Sequence, residues 1–317
     1  MIAGLAGAAL AGGGSSAIAR RFARSPFFQR IGKPIGIQLY TLGELPRSDM
    51  DGTFAQLAAL GYRELELSQF YGKKPTEVRA AADRAGLAIS SLHLISSSMA
   101  TGTGPDSLTI DSETQKIADV MGNLGARAAV LTIAPLPAGT KLRAGEDFRL
   151  AVTRSLTEGG IDHWRRTAAM LNQRGASLRQ VGIALGYHNH NVEFAPIGGT
   201  TGWDVLVRET DPRLVSFEVD IGWVAAAGLD PVDFLHRIRG RTRWMHIKDL
   251  TEQTAPNFAL SMTSCEVGAG KLDWQRILPA ARAAGVQHYY VEQEPPFGIP
   301  RMEAAARSHA YLAALRA

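Results

Sequence analysis

Cysteine is nearly missing from this chain. Cys265 is the only one in 317 residues, so no intrachain disulfide can form and a cysteine-built metal site is excluded. Any metal must be held by His, Asp and Glu. Runs of basic residues are also scarce. Lys and Arg are scattered outside the segment from Arg20 to Arg30, and the formal charge is only +4. No stripe of the kind that binds nucleic acid is visible. The one long uncharged apolar stretch, residues 1–19, is too short and too rich in glycine to span a membrane. A glycine-rich phosphate loop is missing where the first predicted strand ends: the text there is "YTLGELP". Its absence counts against an open doubly wound sheet that binds a dinucleotide, the alternative architecture.

Hydrophobic residues make up 45% of the chain, enough for a sizeable core in a single domain. Residues 1–19 end in Ala17-Ile18-Ala19, the small-residue pattern of a cleavage site. They read as an export signal without its usual basic start. The expectation is an exported, periplasmic protein (cytoplasmic otherwise), with a basic linker over 20–33 and one catalytic domain over 34–317.

From residue 35 onward, strand and helix patterns alternate. "IGIQLY", "RELELS", "LAISSLHL", "ARAAVLTI", "GIALGYH", "LVSFEVD", "RWMHIKD" and "HYYVEQE" read as strands. Between them lie helical segments with the usual start and stop signals. Residues 48–61 begin with capping side chains and stop at Gly61. Pro231 follows the cap Asp230. A long helical stretch is expected over 146–174, and a kink at Pro279. Such alternation argues for a parallel sheet. Eight units of this length argue for a closed (β/α)₈ TIM barrel, whose active site lies at the C-terminal ends of the strands.

Those ends carry the chemistry. His93 falls near the end of the third strand, and His188-Asn189-His190 at the end of the fifth, with Glu193 close behind. Asp220 ends the sixth, His246 with Lys248 the seventh, and Glu292 with Glu294 the eighth. A barrel gathers all of them around one mouth. The set is one of nitrogen and oxygen donors, suited to a single divalent metal such as Mn, Zn, Mg or Co. Residues two apart on a strand share a face, so one member of each pair belongs at ligand depth and the other nearer the substrate. Glu66 on the second strand either faces the mouth or pairs with an arginine. Trp223 is either core or the apolar wall under a sugar ring. A lone strand histidine such as His93 is often only structural. His236 and His309 on helices, and His163 on a long connection, are expected at the surface.

Taken together, "IGIQLYTL", "GYRELEL", "LGYHNHNVEF", "FEVDIGWVAAAGLDPVDFL", "MHIKDL", "VGAGKLDWQRIL" and "YYVEQE" resemble the sugar phosphate isomerase/epimerase family. This family belongs to the xylose isomerase-like barrels, with inosose dehydratases, ketose 3-epimerases and endonuclease IV. The resemblance covers about residues 35–316. It implies a metal held from strands five to eight: His188, Asp220, His246 and Glu292. Many members carry a glutamate at the position of His188. The symmetric mechanism of ketose epimerases, with two metal-bound glutamates, is therefore in question, and Glu193 is the residue that could supply the missing carboxylate. The three-zinc site of endonuclease IV is incomplete here: Trp223 stands where an extra histidine would be needed.

The resemblance implies a sugar isomerase or epimerase acting on a keto-sugar or polyol through an enediolate. Glu292 or Glu193 would serve as base, His190 and Lys248 as acid or oxyanion partners, and His93, Trp223 and Glu66 as substrate contacts. A dehydratase or keto-glycoside lyase on the same barrel is the rival, and a non-catalytic sugar-binding barrel the third reading. Neither nucleic acid nor a membrane span is expected. The resemblance admits a homodimer.

Overall fold

The computed structural model describes residues 25–99, 108–141 and 143–317. The expected export signal lies outside them. At the centre is a closed ring of eight parallel strands: β1 (Gly36–Gln38), β2 (Glu64–Leu67), β3 (Ala88–Leu94), β4 (Ala128–Leu131), β5 (Ala184–His188), β6 (Val215–Asp220), β7 (Thr242–Ile247) and β8 (His288–Val291). The ring closes where Gly36 and Ile37 of β1 pair with Tyr290 and Val291 of β8. The main helices follow the strands in turn: α1 (Met50–Leu60), α2 (Pro75–Ala85), α3 (Thr114–Leu124), α4 (Gly160–Gln180), α5 (Gly202–Glu209), α6 (Pro231–Arg237), α7 (Trp274–Ala284) and α8 (Arg301–Ala314). Each crossover returns the chain to the bottom of the ring, so every strand points its C-terminal end at the same face. Among the described residues no helix is long and apolar enough to cross a membrane.

Local chemistry sets the helix starts. The Asp49 carboxylate accepts the Gly52 N–H at 2.9 Å. Asp230 accepts from both Val232 and Asp233 ahead of α6, with Pro231 in the first turn, where its missing N–H costs nothing. The stretch expected as one helix over 146–174 is two. Phe148–Glu158 is followed by α4, and the break falls at Gly159-Gly160, where Gly160 takes a φ of +63°. Helix α4 runs past the expected end. Gly175 sits within it, where an added Cβ would lie 2.7 Å from the Leu214 carbonyl. That glycine allows close helix–strand contact rather than marking a stop. Helix α7 continues through Pro279 as one element.

Two further expectations change. The segment taken as a basic linker, 20–33, contains a helical turn at Phe27–Ile31, whose Phe27 and Phe28 are buried. Both rings pack edge-on against Tyr289 of β8. His163, expected at the surface, is buried on α4, because the long connection folds back onto the barrel.

Alternation sorts the strand side chains into two populations. Leu65, Ala129, Leu185, Phe217, Met245 and Tyr289 join the large apolar cluster between ring and helices. Inside the ring, the lowest layer is a small cluster of Ala128, Trp244 and Tyr290. The layer above is not the usual filling of branched aliphatic side chains. It consists of Glu66, His93, Glu218 and His246. Glu66 Oε1 lies 2.6 Å from His246 Nε2, and Glu218 Oε2 lies 2.8 Å from His93 Nε2. Strand register shifts just before both carboxylates, between Leu65 and Glu66 and between Phe217 and Glu218. Such bulges re-aim the side chains that follow. Burying these charges is tolerable because each is paired with a charge of opposite sign.

Candidate active site

The top layer stands on that charged floor. His188 ends β5, Asp220 ends β6, His246 lies one residue before the end of β7, and Glu292 follows β8 directly. One donor atom from each falls within 4.8 Å of the others, and all four residues are buried. His246 Nδ1 is 2.7 Å from Glu292 Oε2 and 3.6 Å from Asp220 Oδ2. His188 Nε2 is 3.8 Å from the same Asp220 oxygen. The other nitrogen of each imidazole points down: His188 Nδ1 lies 3.1 Å and His246 Nε2 3.2 Å from Glu218 Oε2.

The electrostatics follow from this stacking. Burial would raise the Asp220 and Glu292 carboxyls, but the Lys248 ammonium and the His246 imidazole outweigh it and hold both down, Glu292 well below the usual carboxylate range. Burial would lower His246, but Glu218, Glu292 and Glu66 together raise it. His93 is likewise raised to about 10 against burial, by Glu66 and Glu218. Burial wins at the mouth: it pushes His188 well down, with help from His246, and His190 to about 3, with help from Lys248.

A cavity of about 1020 Å³ opens above. Its floor includes Gln38, His93, His188, His190, Trp223 and Glu292. His190 packs beside the Trp223 ring, with centroids 5.3 Å apart. The His190 Nδ1 and Trp223 Nε1 atoms are buried and have no partner within the protein. His93 and Trp223 thus stand where substrate contacts were expected.

Three expected site residues do not reach the cavity. Glu66 lies one layer lower, between His246 and His93, and holds imidazoles instead of substrate. Lys248 is fully buried behind the ligand layer, with its Nζ 2.7 Å from Asp220, 2.8 Å from Glu292 and 2.7 Å from Glu294. It acts on the carboxylates and does not face the mouth. Glu193 is turned away altogether. The chain bends after β5 into a short turn at Val192–Phe194. Glu193 there takes the Tyr187 hydroxyl at 2.7 Å and the His190 N–H at 3.0 Å. Tyr187 alternates with His188 and so faces the helices, and Glu193 goes with it. Burial lifts its carboxyl to about 7. The bond to the His190 backbone makes it a brace for the loop.

Glu218 escaped the sequence reading. It is fully buried and meets His93, His188 and His246 with one oxygen. Its signal was present: it sits two residues before Asp220 and shares that residue's face.

A divalent cation fits the donor set. Two imidazoles and two carboxylates suit Mn, Zn or Co. Asp220 Oδ2 is buried and ion-paired with Lys248 Nζ at 2.7 Å, and a carboxylate oxygen has lone-pair capacity beyond that one contact. The two histidines already have carboxylate partners on their far nitrogens, as histidines that bind metals usually do. A second group, His93, His188, Glu218 and His246, is also close enough to hold an ion. Its carboxylate is already engaged by three imidazoles.

Comparison with known proteins agrees with the barrel fold. A family model described as xylose isomerase-like TIM barrel matches residues 54–315. An inosose dehydratase of Lacticaseibacillus casei is 26% identical over 300 residues, covering 88% of this chain and 94% of the relative. A sugar phosphate isomerase/epimerase from Parabacteroides distasonis superposes with a TM-score of 0.69 at 26% identity, over 89% of this chain and 94% of that one. The IolI protein, solved with a zinc atom, superposes with a TM-score of 0.58 at 14% identity, over 89% of this chain and 98% of its own.

Proposed function

The chain belongs to the xylose isomerase-like TIM-barrel family, and from that premise we propose that it is a metal-dependent lyase acting on a keto-sugar or keto-polyol. It removes the proton beside the carbonyl and then expels the substituent one carbon further on. The observation that carries this reading is the inequality of the two sides of the mouth. An imidazole, His188, stands at the strand-five position. Glu193 faces the helices. Three carboxylates line the cavity: Glu292 and Glu294 come from the end of one strand, β8, and Glu77, in the first turn of α2, is taken up by the Lys74 N–H. Epimerisation by two equivalent carboxylates, one from strand five and one from strand eight, has no carboxylate at the strand-five position to use. Elimination needs only one proton acceptor that can pass its proton on.

A cation held by His188, Asp220, His246 and Glu292 would supply Lewis-acid polarisation of the carbonyl and a neighbouring hydroxyl. Mn, Zn and Co suit that set. Glu292, kept ionised by Lys248 and His246, accepts the proton from carbon. The electron pair of that C–H bond becomes the new C=C bond as the C–O bond breaks. His190, kept neutral, hydrogen-bonds the departing oxygen. That oxygen takes the proton back from Glu292 and leaves as water or an alcohol. A positioned acid–base group of this kind contributes about 10²–10⁴-fold. The relative named as an inosose dehydratase supports elimination.

Isomerisation or epimerisation is the second reading, favoured by the isomerase/epimerase among the solved neighbours. It differs only in where the proton returns. The test is product analysis in D2O, with metal-loaded protein and either a keto-inositol or a 3-keto-glucoside. Loss of water or aglycone with an unsaturated product supports the lyase. Deuterium uptake with a new epimer or a moved carbonyl, and no loss, overturns it in favour of the isomerase.

A further inference from the structure

We infer that the substrate carries an apolar group of about aryl size beyond its sugar ring, so that the site takes aryl-type glycosides and not only free sugars or polyols. This rests on the lyase reading above and names its leaving group.

Size gives the first argument. The cavity, about 1020 Å³, lies at the upper end of the roughly 300–1,000 Å³ that encloses ligands of drug size. The polar floor is only one side of it. The apolar part of its wall is the second observation: Phe70, Ile95, Met99, Ile133, Phe148 and Leu260 line it, with Lys73, Lys74, Glu77, Lys116 and Arg149 also in the lining. Six large apolar side chains stand out as exposed among the described residues. Three of them line this cavity: Tyr40 at 44%, Ile95 at 37% and Phe148 at 51%. Exposed apolar surface gathered in one concavity marks a binding surface. A free polyol would leave it wet.

The apolar shelf is also fixed relative to the floor. Arg149, next to Phe148 at the start of its helix, lies 3.7 Å from Glu294 and donates to the Leu260 carbonyl at 3.5 Å. The helix end that carries Phe148 is thereby tied to the β8 end that carries Glu292. On the floor, His190, Trp223, His93 and Glu292 form the polar end of the cavity. A ligand that satisfies both ends has a sugar ring at one and an aromatic or similar group at the other. In the elimination, the C–O bond to that group is the one that breaks, and the group leaves as the phenol or alcohol with the proton returned by Glu292.

Calorimetric titration of the Mn-loaded protein with non-reacting probes tests this: methyl glucoside, phenyl glucoside, maltose and phenol. Phenyl glucoside is expected to bind about tenfold or more tighter than methyl glucoside and phenol. Phe148→Ala and Ile95→Ala are each expected to bring it down towards the methyl glucoside value while leaving methyl glucoside unchanged. Both positions are exposed enough that melting temperature should hold, which is checked alongside. Equal binding of methyl and phenyl glucoside overturns the inference and leaves the sugar reading standing. So does maltose matching phenyl glucoside with both variants silent. Phenol binding as well as phenyl glucoside removes the sugar reading, and the glycoside with it. No binding of any probe overturns both.

Discussion

Replacing Glu218 by Gln should weaken metal binding about 100-fold while leaving the fold intact. The reasoning starts from one oxygen. Glu218 Oε2 lies 2.8 Å from His93 Nε2, 3.1 Å from His188 Nδ1 and 3.2 Å from His246 Nε2. Two of those rings are proposed metal ligands: Glu218 is the carboxylate partner of His188, and it shares His246 Nε2 with the nearer Glu66. Loss of one such outer partner typically costs 10–100-fold in metal affinity. Because His188 loses its partner outright and His246 loses the second of its two, the upper end, about 2.7 kcal/mol, is the expectation. Glutamine keeps the shape but brings N–H groups to at least one imidazole N–H, and that ring must turn or change tautomer. Alanine would be a poor probe, because an uncompensated charge in a buried network costs about 3–5 kcal/mol on its own. The assay is competition with a chelator for Co or Mn, read together with the visible spectrum of the Co form and a thermal melt. The expected result is a native-like melt, weaker binding and an altered Co band. A variant with wild-type affinity and an unchanged band would refute the argument, provided Asp220→Ala in the same assay loses the metal.

Lys248→Met should separate stability from metal binding. The ammonium faces Asp220, Glu292 and Glu294 within 2.8 Å, so without metal its removal leaves buried carboxylates uncompensated and should cost about 3–5 kcal/mol. With metal added, that loss should largely be recovered, and the affinity for the cation should rise. Melting curves with and without Mn check both. Glu193 should leave a pH signature. Its folded carboxyl is raised to about 7 from the ordinary glutamate value of 4.5. The folded state therefore binds the proton more tightly than the unfolded one, and stability is fully present below about pH 4.5 and falls as the pH rises to about 7. The stability of Glu193→Gln relative to wild type should grow by about 3 kcal/mol across that window, measured by urea unfolding from pH 4.5 to 8.

The sequence carried the ring of strands plainly, because eight apolar runs alternate with well-capped helices. It also carried the four residues of the ligand layer, since strand ends converge on one face of a barrel. Depth was harder to read. Glu66 has the right parity for the mouth but sits a layer below it, and parity alone does not measure height. Glu218 could have been found by the rule applied to the other strands, since it stands two residues before Asp220. Glu193 could not have been placed: β5 ends at His188, and once the backbone leaves the strand its period of two no longer says which way a side chain points. The break at Gly159-Gly160 was legible as a pair of glycines but was outweighed by good helical spacing on both sides.

The lower end of the barrel has a consequence of its own. The Phe27 N–H donates to the Leu315 carbonyl at 2.7 Å, and Arg30 reaches the carbonyl of Ala317. The first and last described segments are thus stitched together, on the side of the ring away from the substrate mouth. The barrel is closed along its chain almost as it is closed along its sheet. Joining those ends through a short linker and opening the chain at an exposed turn elsewhere would leave every strand with its neighbours. Coupling the protein to a surface through its last residue would leave the mouth facing the solution.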